Sequence, residues 1–245
     1  MKSKYDLDPK ELFKILTKKK IKFLYHANTI STSKTFLNNK SLFSRKYIED
    51  NKLFQTKQYS DEKDKKIGVW DGIFLDAIDI HEEFNRANLY GPFLFSLDLK
   101  LLESEHVKTV KITKKNPVHW ALTESNDNWY YSDLKEFNEN YKIGNKRKDV
   151  GSMFIFEDID GVIPLAPYLK RITLDNPNLY VSYNNKDKLL SNIVKEEIDE
   201  LLNKNGFEGV EKVLRHKFSN ITCSCWREYK RLRRTELKKL FHVNP

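Results

Sequence analysis

The sequence predicts an α+β protein, and three observations carry that expectation. Short apolar, β-prone runs recur along the chain: Phe23–Tyr25, Ile73–Leu75, Phe93–Leu97, Met153–Phe156 and Val162–Leu165. Helical periodicity marks both ends, in residues 5–20 and again in 189–202. Turn residues separate these segments, as in Tyr90-Gly91-Pro92, Asn116-Pro117 and Asp158–Gly161.

In chain order, Asp8-Pro9 supplies an N-cap and a first-turn proline, and Leu12, Phe13 and Leu16 follow at helical spacing. Phe23-Leu24-Tyr25 is a buried strand that delivers His26 at its end. Asn28-Thr29 and the hydroxyls of Ser31, Thr32 and Ser33 then offer caps to a helix carrying Ile30, Phe36 and Leu37. Ser41–Arg45 resumes an extended path, and a strand delivering a histidine, then a helix, then the polar pair Ser44-Arg45 is an arrangement for holding something. His26 is either a binding residue at the mouth of the fold or a satisfied edge histidine. Residues 46–66 lack periodicity and read as a loop.

Ile73-Phe74-Leu75 forms a strand ending at Asp76, and Asp79, His81, Glu82 and Glu83 cluster just beyond it. Two readings compete there: a nucleotide-site wall in which Trp70 or Tyr90 stacks on a ring and Asn85 and Arg86 touch phosphate, or a divalent-metal site built from Asp76, Asp79, His81 and Glu82. A plain acidic helix start is the third option. Val107, Val110 and Ile112 form an edge strand protected by lysines, and Val118–Leu122 is a further strand. Trp129-Tyr130-Tyr131 is read as core. Residues 133–150 give a helix and a basic tip at Gly144–Lys148.

Asp158–Gly161 suits a hairpin turn between Met153–Phe156 and Val162–Leu165. From Leu189 to Leu202 the apolar residues follow one helical face, stopped by Asn205-Gly206. Trp226–Phe241 reads as a last helix in which Arg227, Arg231, Arg234 and Lys238 make a basic stripe. From 211 to 239 there are ten Lys and Arg against three Glu.

The chain of 245 residues has a formal charge of +9, and aromatic residues make up 13% of it. Its pI is near 9.2 and its mean hydropathy is −0.67. Intrinsic disorder is poorer in aromatics, so this is a folded protein with a lysine-rich surface suited to polyanions. Cys223 and Cys225 are the two cysteines, spaced awkwardly for a mutual disulfide. We take them as a reduced structural pair with no metal; the alternative is zinc on both thiolates with His216 or His242. No apolar run reaches membrane-spanning length and the basic N-terminus has no signal-peptide core, so a cytoplasmic protein is expected.

Tyr25-His26 after an apolar strand, then a helix, then Leu42-Phe43-Ser44-Arg45, resembles the opening of the NAD-dependent ADP-ribosyltransferase superfamily. It is most similar to the histidine-containing branch that includes the DarT-like toxins. The resemblance covers about the first 45 residues. It implies a mixed, largely antiparallel split sheet with an N-terminal helix, spanning residues 1–180, followed by a basic helical extension over 181–245. It also implies NAD as a substrate, a loop at 46–66 that shapes the NAD site, and ADP-ribose transfer to DNA or RNA. A toxin or phage-defence role and a neutralising antitoxin would accompany it. His26 is the position that matches the ribose-binding histidine. Ser44 and Arg45 would hold hydroxyl and phosphate oxygens, and Trp70 or Tyr90 would sandwich nicotinamide. Glu157, ahead of Ile163-Pro164-Leu165, stands where the family keeps its catalytic glutamate, although Gly151-Ser152-Met153 replaces the usual lead-in. Arg227, Arg231, Arg234 and Lys238 would meet nucleic-acid phosphates. The competing classes are a metal-dependent nuclease and a non-catalytic nucleic-acid-binding protein.

Overall fold

The computed structural model describes residues 3–141, 151–216 and 222–242. The basic tip expected at Gly144–Lys148 lies outside them. The strands are β1 (Phe23–Asn28), β2 (Ser41–Phe43), β3 (Ile73–Leu75), β4 (Phe93–Asp98), β5 (Lys111–Ile112), β6 (Phe154–Phe156), β7 (Val162–Pro164), β8 (Leu169–Asp175), β9 (Tyr180–Tyr183), β10 (Lys186–Leu189) and β11 (Glu211–Arg215). The helices are α1 (Pro9–Lys18), α2 (Ile30–Asn38), α3 (Arg45–Asp50), α4 (Asp61–Ile67), α5 (Ile80–Phe84), α6 (Asn126–Trp129), α7 (Leu134–Asn140), α8 (Leu190–Lys204), α9 (Cys225–Arg231) and α10 (Arg234–Phe241).

The expected α+β class, mixed and largely antiparallel, is what forms. One sheet runs β1-β4-β8-β11, antiparallel except for the parallel β8–β11 pair. A second runs β3-β6-β5, all antiparallel, and β2 pairs with β7. β4 sits in the middle of the first sheet with Phe93, Leu94, Phe95, Ser96 and Leu97 all buried, because both of its faces are covered. Among the described residues the two sheets meet at one bridge, where Tyr25 within β1 exchanges backbone bonds with Asp76 just beyond β3.

The C-terminal quarter completes this body. Residues beyond 180 supply β11 to the first sheet, and Ile193, Val194, Ile198, Phe207, Tyr229 and Phe241 join the main core. Trp129, Tyr130 and Tyr131 are buried. Trp129 stacks on Trp120 at 4.6 Å between centroids. Among the described residues, no helix is long and apolar enough to cross a membrane.

Four local expectations are corrected. Residues 99–103 form a 3-10 turn, which leaves only Lys111–Ile112 of the edge strand. The strand expected at 118–122 is replaced by a 3-10 turn at Pro117–His119, because the Asn116 side chain accepts from Val118 N and Pro117 presets the turn. The Asp158–Gly161 turn exists, with positive φ at Asp160 and Gly161, but β6 and β7 go to different partners and make no hairpin. The last helix breaks at Leu232, where Arg233 and Glu236 form a capping box that starts α10. The basic residues therefore do not run along one helix face.

Candidate functional site

A cleft, partly open to solvent, lies where the two sheets meet. Its walls come from β1, from the start of α3, from the segment leading into α4, from β3 and from the turn before β4. Residues 46–66 hold two short helices with a loop between them. Gln58, Ser60 and Asp64 of this stretch line the cleft.

His26 is enclosed, with Phe36 and Phe95 at 5.7 and 6.4 Å between ring centroids. Its Nδ1 lies 2.9 Å from the Phe74 carbonyl, which can only accept, so Nδ1 carries the hydrogen. Nε2 is then an acceptor, facing the Asn28 amide nitrogen at 3.3 Å. Desolvation is the larger influence on the ring and lowers its pKa, against the Phe74 carbonyl, so the imidazole is neutral. The Asn28 amide is held in turn, its Oδ1 accepting from Thr29 N at 2.9 Å.

Arg45 opens α3 behind the Ser44 cap. Its Nη2 donates to both oxygens of Asp61 at 2.6 Å and to the Thr56 carbonyl at 3.0 Å. Among the described residues, Nε and Nη1 have no partner although they are buried. The guanidinium carbon lies 5.6 Å from the Trp70 ring centroid, a cation–π distance. Trp70 is steered by its indole N–H, which donates to Glu49 at 2.8 Å. Ser44 is buried below the cleft rather than lining it. Its hydroxyl accepts from Tyr47 N at 3.1 Å and donates to Asp71 at 3.4 Å.

Asp76 is the acidic group of this cleft with the most perturbed environment. It keeps some surface accessible from the cleft, yet protein encloses its carboxyl, and burial alone pushes its pKa up to about 8. Among the described residues, its carboxyl has neither an ion pair nor a hydrogen bond. Asp64, also in the cleft, is raised chiefly by desolvation. Tyr90 faces them with its phenol raised by burial and bonded to Asn116. Gly91 positions Tyr90: its φ is 147°, and a Cβ there would fall 2.2 Å from the backbone of Asn28. The turn thus crosses directly over the end of β1.

His26, Arg45, Trp70 and Tyr90 are therefore brought together, and Ser44 is adjacent. Glu157 is not among the cleft-lining side chains. Phe154 and Phe156 enter the main core while Ile155 faces the smaller cluster with Trp120 and Tyr130. Just past the strand, Glu157 is ion-paired with Lys111. Asp79, His81 and Glu82 do not gather with Asp76: Asp79 caps α5 and bonds Arg215, and His81 turns to Asp175. Asp76, Asn28 and Gln58 are among the cleft residues that the sequence did not individually mark for a nucleotide. Asp76 had one signal, a charged residue ending an apolar strand.

Arg227, Arg231, Arg234 and Lys238 are all exposed. Arg227 and Arg231 line a separate groove with Trp226 and Lys230.

No family model matches the chain, and no curated protein matches it. Solved structures of Thermus sp. 2.9 DarT are similar. The complex with NAD+ has 10% identity over 80% of this chain and 96% of that one, with a TM-score of 0.48. The complex with ADP-ribosylated single-stranded DNA has 11% identity over 80% and 95%, with a TM-score of 0.48. The roles of the cleft residues stand on the geometry above.

Proposed function

We propose that this chain is an NAD-dependent ADP-ribosyltransferase acting on nucleic acid, with the cleft as its NAD site. The observation that supports it best is the pairing of two unmet needs in one aromatic cleft. Asp76 is a carboxyl without a cation, and Arg45 is a guanidinium with two unanswered N–H groups. NAD offers a cationic aromatic ring for the first and a pyrophosphate for the second. Trp70 and Tyr90 supply the flat surfaces for stacking.

In this reading the bond between ribose C1 and the nicotinamide nitrogen breaks, and its electron pair leaves with nicotinamide. Positive charge builds on the ribose, and Asp76 stabilises it once the bound cation has drawn off its proton. His26 Nε2 accepts a ribose hydroxyl in place of the Asn28 amide. The attacking atom belongs to a nucleic-acid base, whose proton is lost to solvent or to a nearby acceptor. Arg227, Arg231, Arg234 and Lys238 contribute phosphate contacts. Glu157 remains a candidate only through a movement that frees it from Lys111. In the same reading the chain has a toxin or defence role held in check by an antitoxin.

Calorimetric titration with NAD tests the cleft. Binding that weakens at least about tenfold in Arg45→Lys, with the fold intact, supports the assignment. Equal binding by both proteins overturns it.

A further inference from the structure

Asp175, the last residue of β8, is buried well outside the cleft. It accepts from Arg215 Nε at 3.0 Å, from the Tyr229 hydroxyl at 2.5 Å and from His81 Nδ1 at 2.8 Å. With its Nδ1 hydrogen committed to that carboxylate, His81 presents the lone pair of Nε2 on the other side of the ring. The atom it meets there is the Cys223 sulfur, at 3.3 Å. The His216 ring lies 5.3 Å from His81 between centroids. Cys225 closes the group, and one ligand atom from each of His81, His216, Cys223 and Cys225 lies within 4.8 Å of every other.

We propose that these four side chains bind one zinc ion in a structural Cys2His2 site. The donor set is the one zinc favours, two thiolates and two imidazoles in a four-coordinate arrangement. Ligands at ordinary zinc bond lengths stand about 3.3–3.8 Å apart around a tetrahedron, so only a small inward contraction is needed. Binding displaces one proton from each thiol, and two thiolates then neutralise the divalent ion, so the site is buried without net charge. His81 and Cys225 are almost inaccessible, as expected of a closed structural site rather than a catalytic one with an open position.

The surroundings supply a second independent argument. A histidine ligand ordinarily gives its other ring N–H to a carboxylate, and Asp175 occupies that position for His81. Asn176, next in the chain, donates from its side chain to the His216 carbonyl at 3.2 Å. His81 comes from α5, whereas His216 just after β11 and Cys223 and Cys225 at the start of α9 come from a segment more than 130 positions later. A metal there would fasten the basic α9–α10 segment to the end of the first sheet. A Cys223–Cys225 disulfide is the poorer alternative, because one intervening residue strains the bridge.

Cobalt substitution of the full, reduced, metal-free chain tests this without relying on any variant. Co2+ is expected to give intense visible bands of a tetrahedral ion and a near-ultraviolet thiolate charge-transfer band, both erased by equimolar zinc. The untagged protein purified without chelator should carry about one zinc per chain. Cys223→Ser/Cys225→Ser should lose the charge-transfer band and at least about tenfold in zinc affinity. Asp175→Asn should weaken zinc binding while keeping the thiolate band. If the double variant fails to fold, the wild-type cobalt spectrum decides. Octahedral cobalt bands without thiolate charge transfer, or full zinc content in a folded double variant, would overturn the proposal.

Discussion

Asp76 and Tyr25 exchange both backbone hydrogen bonds, at 2.7 and 2.9 Å, although 50 residues separate them in the chain. That bridge carries the Asp76 carboxyl into the space beside His26 and strips it of water. A carboxyl raised from about 3.8 to about 8 holds its proton longer in the folded state than in the unfolded one. Folding stability is therefore lost as pH rises from about 4 to about 8, by a few kcal/mol in all. Asp76→Asn should flatten that decline while matching the wild type below pH about 4. Thermal unfolding of both proteins across this range checks it, and parallel curves would refute it.

The same linkage predicts how NAD binds. A cationic ring prefers the ionised carboxylate, so NAD affinity should strengthen between pH about 6 and 8 in the wild type. In Asp76→Asn that dependence should vanish. Titrations at several pH values decide between the two.

Arg45 is tied to stability as well as to binding. It and Asp61 are 15% and 10% exposed, so Arg45→Met leaves a buried carboxylate without its cation. The expected cost is about 3 kcal/mol in urea unfolding. Arg45→Lys should lose less stability but still bind NAD poorly, since an ammonium cannot reproduce the planar fork.

Gly91 has no room for a side chain. Gly91→Ala places a methyl 2.2 Å from Asn28 backbone atoms that cannot give way. A loss of at least about 2 kcal/mol is expected, with weaker NAD binding as Tyr90 moves. A fully stable Gly91→Ala protein would show that the turn does not cross β1 as described.

Nucleic-acid affinity should depend on salt through the C-terminal cations. Replacing Arg227, Arg231, Arg234 and Lys238 with Ala should make the slope of log affinity against log salt shallower by about 3. Fluorescence anisotropy with single-stranded DNA and RNA gives that slope, and no change would exclude this surface.

Much of the sheet was legible because β1 and β4 are apolar runs. Trp70 and Tyr90 were legible as ring-stacking candidates from the residues around them, while their gathering with His26 and Arg45 was legible only through a resemblance. What sequence could not supply was pairing across distance. Nothing local says that Asp76 bridges to Tyr25, or that His81 faces two cysteines 142 and 144 positions later. Glu157 illustrates the pleat: strand character was correctly expected around it, but not which way the side chain after Phe156 would point. The split between α9 and α10 was hidden because Arg233 and Glu236 cap a new helix inside an otherwise continuous amphipathic pattern.

The most direct test follows label from NAD, carried in its adenylate phosphate, into single-stranded DNA or RNA. The wild type is expected to transfer label to nucleic acid and release nicotinamide, Asp76→Asn to do neither, and Glu157→Ala to retain most of the transfer. Failure of the wild type to label either nucleic acid, or an Asp76→Asn protein as active as the wild type, would contradict the account.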